Sequence, residues 1–472
     1  VTGGSGADGN DMVMVSNWLP ARGDPPQWCH SAMGMTDPLQ RVVAERGGAW
    51  VGGVAEPGRR VSLLDGVWLH PVAVTPQQVA DHYHGHCLGT LAPLYLDAGQ
   101  PVHFTQQFWR AYLDVNRRIA DEAAQIAETS AAVWVHDYHL QLVPGYLRRQ
   151  RPDLRIGFFL HTPFPPVERF ARQPMRDEVL NGLLGADLIG FQQDHSARNF
   201  LRIATEIGGL HHDGNTVTVG DRQVAVRVLP ASVDTPRIEA LVATAEVWTG
   251  AETIRATVGD PARVLLSIGG PNPVDGVGRR LNAYAQLLAD GRLDPTDTVL
   301  IHFADRAEEE DTALEHEHAV IDRLVAQING GFARLGHPVV HYLRRAPTPL
   351  SLAAAYLAAD VLLATPLQEG MTLAAKQYAA ARTDDTGRIV LSEFSGAVAD
   401  LPEADIVNPY DMAALKNTIA EATLAEQRPS KAMRAMRQRV REQDVWAWAE
   451  QFLTALNTVT RNQPDITPGT RR

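Results

Sequence analysis

Short apolar runs recur along the chain, each followed by a longer stretch in which apolar positions return every three or four residues. The runs include MVMVS (12–16), AVWVHD (132–137), RIGFFLH (155–161) and DLIGF (187–191). RVLLSIG (263–269), TVLIHFA (298–304), VVHYL (339–343), DVLLAT (360–365) and RIVLSE (388–393) follow. Their near-continuous apolar character predicts strands buried on both faces, as in parallel sheets. QLVPGYLRRQ (141–150), LSLAAAYLAAD (350–360), MTLAAKQYAAAR (371–382) and DMAALKNTIAEAT (411–423) predict helices between them. Such alternation implies right-handed βαβ units and an α/β fold.

A seam is expected within LPASVDTPRIEA (229–240), where one set of βα units ends and a fresh set follows. The expected organisation is a flexible leader at 1–11, a Rossmann-like domain at 12–232, a second at 233–439, and a flexible tail at 459–472. The two domains would face a cleft. A last helix is expected around 431–458, carrying Trp446 and Trp448.

The 472 residues are 45% hydrophobic and 21% charged, an ordinary globular balance that can build two or three domains. A formal net charge of -12 argues against nucleic acid or an anionic membrane as partner of the whole protein. The two cysteines, Cys29 and Cys87, lie far apart without metal-ligand spacing, and read as reduced thiols of a cytoplasmic protein. No apolar run approaches the roughly 20 residues of a membrane span. VTGGSGADGND at the start has neither the basic nor the apolar part of a signal peptide.

Candidate chemistry collects at strand ends. VWVHDYHLQLVPGYL places His136, Asp137, Tyr138 and His139 just past one strand, and FFLHTPFPP places His161 past another. In open α/β sheets the ligand crevice lies outside the carboxyl ends of strands. Either histidine alone reads more readily as a hydrogen-bonded structural residue; two such strand ends in neighbouring units strengthen the case for a site. His136 and His139 lack HExxH spacing and have no third ligand, so no metal is expected. In TPLQEGMTLAAKQY a strand ends at Thr365, QEG makes a turn, and a helix is expected near Met371 with its amides free for an anion or sugar hydroxyls. Glu369 at its mouth either favours the helix dipole or accepts from sugar hydroxyls. LLSIGGPNPVDGV (265–277) runs a strand into a Gly-rich loop, a usual phosphate site, yet it has no Lys or Arg and carries Asp275. Trp28, Trp109, Trp134, Trp446 and Trp448 read as core, and EEEDTALEHEH (308–318) as a solvated helix face.

Longer blocks carry a resemblance. AVWVHDYHLQLVPGYLRRQRPDLRIGFFLHTPFPPVERF, LLGADLIGFQQDHSARNFL, INGGFARLGHPVVHYL, DVLLATPLQEGMTLAAKQYAAAR and VLSEFSGA closely resemble the trehalose-6-phosphate synthases of glycosyltransferase family 20. The likeness runs from about residue 12 to about 458. It implies a GT-B fold with an acceptor domain first, a nucleotide-sugar donor domain second, and a C-terminal helix (about 440–458) crossing back to the first. It also implies metal-independent, retaining transfer of glucose from a nucleotide donor, usually UDP-glucose, to glucose 6-phosphate. No cofactor is implied beyond the nucleotide sugar as co-substrate. By the motif, Asp137 and His161 match residues that hold the donor and acceptor sugars, with Tyr138 beside them. Glu369 matches an acidic residue on donor glucose hydroxyls, and Gly370, Met371, Thr372 and Leu373 match the helix start that meets the donor phosphates. Tyr83 matches an acceptor-site tyrosine.

Departures fall on phosphate positions. Where the family loop reads roughly Arg-Leu-Asp-Tyr-Thr-Lys-Gly, this chain has Gly270 to Gly276, so the Arg and Lys are Gly270 and Asp275. Two acceptor-phosphate arginines align with Trp18 and Glu308, an acceptor-site Trp with Ala92, a Gly-Gly turn with MGM (33–35), and a ribose-binding Glu with Gln377. Each charge-assisted hydrogen bond contributes roughly 1.5–3 kcal/mol, so two lost donor contacts cost about two to four decades in affinity. Arg22 and Arg306 could substitute on the acceptor side. On the donor side a bound diphosphate is expected to lack Lys or Arg contacts from this loop, an expectation that Arg279 or Arg280 folded back onto the diphosphate would overturn. The expectation is a divergent retaining transferase moving a hexosyl or cyclitol unit to a sugar or sugar-like acceptor. The alternative is a catalytically silent paralogue that binds a sugar or an active synthase. Self-association is compatible with either.

Overall fold

The computed structural model describes residues 10–20, 35–55, 58, 60–97, 102–304 and 312–461. These residues divide into two compact units. One comprises 10–20, 35–230 and 448–461, the other Ala231–Ala447.

The first unit contains β1 (Asn10–Trp18), β2 (Ala49–Val54), β3 (Ser62–Leu64), β4 (Val67–Ala73), β5 (Ala127–His136), β6 (Arg155–Leu160), β7 (Leu188–Phe191), β8 (Thr216–Val219) and β9 (Arg222–Val228). They form one sheet in the order β3-β4-β2-β1-β5-β6-β7-β9-β8. Only the outermost pairs, β3 with β4 and β8 with β9, are antiparallel. The second unit contains β10 (Arg263–Gly269), β11 (Thr298–Ala304), β12 (Val340–Leu343), β13 (Val361–Ala364), β14 (Arg388–Ser392) and β15 (Asp405–Val407). Its order is β12-β11-β10-β13-β14-β15, all parallel. This is the doubly wound order of a dinucleotide-binding sheet.

The strands expected from continuous apolar runs are all present, and all but the edge strand β12 are largely buried. Leu265 of β10 pairs with Leu300 of β11 on one side and Val361 of β13 on the other, and all three are buried. Each such side chain removes enough apolar surface to contribute roughly 1.5–3 kcal/mol. β2, β4 and the β8–β9 hairpin were not anticipated. β2 reads AWVGGV, where two glycines dilute the apolar signal, and β4 alternates toward an edge, with Trp68 exposed.

Four expectations need correction. The leader was placed at 1–11, but β1 begins at Asn10, whose Nδ2 donates to Ile126 O at 3.4 Å. The single helix at 431–458 is two helices, Lys431–Glu442 and Val445–Arg461. Asp444 causes the break: its carboxylate accepts from the amides of Trp446 and Ala447, which starts a new helix. The tail was set to begin at 459, but that second helix continues to Arg461. Within the acidic segment, residues 308–311 lie outside the described residues; His318 is buried against Tyr342 OH at 3.1 Å rather than solvated.

From Trp448 onward the last helix belongs to the first unit. Phe452 stacks on Trp134 of β5, with centroids 4.3 Å apart. Gly157 of β6 and Gly190 of β7 leave room for that ring: a Cβ on either would stand 2.6 or 2.9 Å from it. No helix of the described residues is long and apolar enough to cross a membrane.

Candidate functional site

In each sheet the strand order reverses once, and the loops leaving the two strands at that point diverge to open a crevice. In the first unit the reversal lies between β1 and β5. β1 ends in Trp18, and β5 runs directly into Asp137. Asp137 has a φ of 70°, in the region non-glycine residues rarely occupy. The strained turn delivers its carboxyl to the end of the sheet, where Thr162 Oγ1 donates to Oδ1 at 3.3 Å. Burial pushes this carboxyl up to about 7, although backbone amides of Tyr138, His161 and Thr162 favour its charge.

Histidines surround it. His136 Nδ1 lies 2.9 Å from His161 Nε2, and the rings stack. Burial holds His161 and His139 down to about 3, and burial with the neighbouring His161 also lowers His136 well below its ordinary value. All three are therefore neutral at pH 7. His139 Nδ1 lies 3.6 Å from Asp137 Oδ2, but with a neutral imidazole this contact is a dipolar one and not an ion pair. Tyr138 stacks on His139 at 4.1 Å, Tyr83 also stacks on His139 at 5.8 Å, and Trp18 meets Tyr83 edge-on at 5.8 Å. The structure thus brings Trp18, Tyr83, Tyr138, Asp137 and His161 into one aromatic-walled group. Trp18, at an expected phosphate position, contributes a buried ring and no charge.

In the second unit the reversal lies between β10 and β13. The loop after β10 is 270–276, and that after β13 leads through Glu369 to the helix Leu373–Ala381. The two loops touch: Leu367 N donates to Val274 O at 2.6 Å. Gly276, at φ 70°, lies so close that a Cβ there would stand 2.5 Å from Thr365 O. Glu369 Oε1 accepts from Thr372 N at 3.2 Å and Oε2 from Thr372 Oγ1 at 2.8 Å. Ser395 Oγ completes the chain with a 2.7 Å bond to Thr372 Oγ1. Burial raises the Glu369 pKa, while the bonds from Thr372 and the charge of Arg280 oppose that shift.

Two site expectations change here. The helix begins at Leu373 rather than Met371, after Thr372 at φ 50°. The amide of Thr372 is also not free, because it donates to Glu369. Gln377 lies one turn into that helix, its Oε1 accepting from Tyr356 OH at 2.8 Å. Glu308, Arg22, Arg306 and residues 33–34 of MGM lie outside the described residues.

Sequence reasoning could not separate Arg279 from Arg280, and the structure does. Arg279 turns to Tyr410, its guanidinium carbon 5.1 Å from the ring centroid. Arg280 is fully buried beside loop 270–276, Nη1 donating to Asp275 O at 2.6 Å. Reasoning also missed His82 and His86, buried in the π-helical segment Val79–Leu91, where His82 Nε2 lies 2.9 Å from Asn17 Oδ1. A π-helical pitch hides such residues from a search at helical spacing. Among the described residues, no three His, Cys, Asp or Glu side chains gather as metal ligands.

Two parallel-sheet units with their crevices at strand-order reversals define the GT-B class of sugar transferases. The family model described as glycosyltransferase family 20 matches residues 15–458. A trehalose-6-phosphate synthase of Mycobacterium bovis is 40% identical over 472 residues, covering 95% of this chain and 94% of that protein. The crystal structure of an alpha,alpha-trehalose-phosphate synthase (UDP-forming) from Burkholderia xenovorans, in complex with glucose-6-phosphate, superposes with a TM-score of 0.87 at 26% identity. It covers 94% of this chain and 99% of its own. An E. coli structure bound with UDP-2-fluoro glucose gives a TM-score of 0.85 at 25% identity, covering 94% of this chain and 98% of its own. The chain belongs to glycosyltransferase family 20.

Proposed function

We propose that this protein transfers a hexosyl or cyclitol unit, with retention, from a nucleotide donor to a sugar or sugar-like acceptor, and that ordinary trehalose-6-phosphate synthesis is weak. The observation that carries the reading is the contrast between two parts of the second unit. Glu369 is held ready as a hydroxyl acceptor by Thr372 and Ser395. The adjoining loop 270–276 presents Asp275 and no Lys or Arg. Mycobacterial relatives named trehalose-6-phosphate synthase support glycosyl transfer as such. Asp137 and His161 supply the matching sugar-facing groups of the first unit. In a retaining transferase, cations at the diphosphate stabilise the leaving group, so their replacement lowers rate as well as affinity. The reading needs no metal or further cofactor, and a cytoplasmic setting fits it.

A second reading is a catalytically silent paralogue that binds a sugar or associates with an active synthase. Asp275, which adds a negative charge where a diphosphate would lie, favours it. Calorimetric titration with UDP-glucose, GDP-glucose, glucose 6-phosphate and free sugars separates the two. Transfer predicts a nucleotide sugar that binds and is consumed in the presence of an acceptor, with product retaining the donor's anomeric configuration. Binding of sugars alone, with no response to any nucleotide sugar at millimolar levels, replaces the first reading with the second.

A further inference from the structure

Arg280 has unusual surroundings for a buried arginine. It lies one turn inside the helix Val277–Ala289, with 2% of its surface exposed. Nη1 is used by the carbonyl of Asp275. Nε and Nη2 are buried and have no hydrogen-bond partner among the described residues. A guanidinium has five N–H donors in a fixed fork, and Nε and Nη2 carry three of them; leaving these unmet in the interior is costly. Nη2 stands 3.4 Å from where a Cβ on Gly269 would be, and the Cβ and Cγ of Asp275 stand 3.5 and 3.9 Å from the same point. Asp275 Oδ2 lies 3.0 Å from where a Cβ on Gly270 would be. Guanidinium and carboxylate therefore border the space left by two consecutive residues without side chains. Two carboxylates, Asp275 and Glu369, act electrostatically on the Arg280 charge, and nearby His302 is held neutral by burial and by Arg280 itself.

We propose that Arg280 is the cation of this donor loop and that the Asp275 carboxylate stands beside it in place of a phosphate. The loop is then already neutralised by its own residues, and it accepts a nucleoside diphosphate only against the charge of Asp275. This rests on the donor-binding reading above and specifies it: the loop discriminates by ligand charge, with Asp275 as the specificity-determining residue. Gly269 and Gly270 supply the space through which the unmet donors of Arg280 meet an incoming oxygen. Across roughly 4–6 Å of partly buried structure, one like charge alters affinity by about tenfold or more.

The test is calorimetric titration of the full chain with UDP and GDP, using uridine and guanosine as uncharged controls. Asp275→Asn, a near-isosteric change at a half-buried position, should tighten diphosphate binding about tenfold or more and leave the nucleosides unchanged. Asp275→Asn with Arg280→Gln should return diphosphate affinity to the parent level. Because Arg280 is buried, Asp275→Asn with Arg280→Lys serves as the second combination; it keeps a charge without the fork and should retain only part of the gain. If Asp275→Asn leaves diphosphate affinity unchanged while nucleosides still bind, the proposal is overturned and donor binding stands. An equal gain for nucleosides and diphosphates also overturns it, because the substitution has then merely loosened the loop. If no variant binds any nucleotide or nucleoside, donor binding itself falls, and this proposal with it.

Discussion

The two sheets present their crevices in the same way but furnish them with opposite electrostatics. At the end of β5 the first unit gathers neutral groups: His136, His139 and His161 are kept uncharged by burial, and Asp137 is pushed up to about 7. At the end of β10 the second unit keeps charges, with Arg280 under the electrostatic influence of Asp275 and Glu369. On the proposed reading, the first arrangement would recognise hydroxyls by shape and hydrogen bonding. The second has a local charge balance that any phosphate must disturb. On the proposed reading, one fold geometry would host a site furnished mainly with neutral rings and a site governed by fixed charges.

Rebuilding the donor loop should blur this contrast most. Gly270→Arg with Asp275→Lys should raise affinity for a nucleotide sugar by about two to four decades, read by calorimetry. Gly270→Arg alone should give little, because the new side chain starts 3.0 Å from Asp275 Oδ2 and pairs with it. A single variant as effective as the double would remove Asp275 from the account. Next in size, Asp137→Asn should lower kcat/KM about 10- to 100-fold, the worth of one charged hydrogen bond. In the parent, activity should rise with pH through about 7 as this carboxyl ionises, and the Asn variant should lose that rise.

Acid should then separate the units. His82, His86, His136, His139 and His161 all have pKa values lowered from 6.5 by burial. The unfolded chain binds their protons first, so their contribution is complete above about 6.5 and is lost as pH falls toward about 3. Asp137 acts in the opposite sense: its penalty is absent below 3.8 and grows as pH rises through about 7. Five histidines outweigh one carboxyl. Hydrogen exchange at pH 4.5 should therefore show β5 and β6 opening before β10 and β13; the reverse order would contradict the burial account. The smallest effect is expected at Gln377→Glu. A carboxylate there can still accept from Tyr356 OH, and nucleotide affinity should change by no more than about tenfold.

Much of this was legible in the sequence, for definite reasons. Strands buried on both faces write themselves as apolar runs, so β5, β6, β10 and β13 and the loops after them could be placed. Asp137, His161 and Glu369 followed from lying past those ends. Other features depend on contacts that no local pattern encodes. β2 and β4 are strands because they pair with neighbours, despite two glycines in one and alternation in the other. Thr372 adopts a left-handed conformation because Glu369 and Ser395 hold it. Arg279 and Arg280 are adjacent and chemically identical; only the helix phase sends one to Tyr410 and the other beside the loop.

The break at Asp444 has a topological consequence. The chain departs from the first unit at Pro230 and rejoins it at Trp448. Val445 N donates to Val233 O at 3.0 Å, and Trp448 Nε1 to Leu229 O at 2.9 Å. Outgoing and returning passages are thus stitched together at the crossing. Residues 231–447 form a closed excursion whose ends are neighbours, so in genetic terms the second unit is an insertion cassette within the first. Such a cassette is the natural piece to excise with a short bridge or to exchange whole for a relative's.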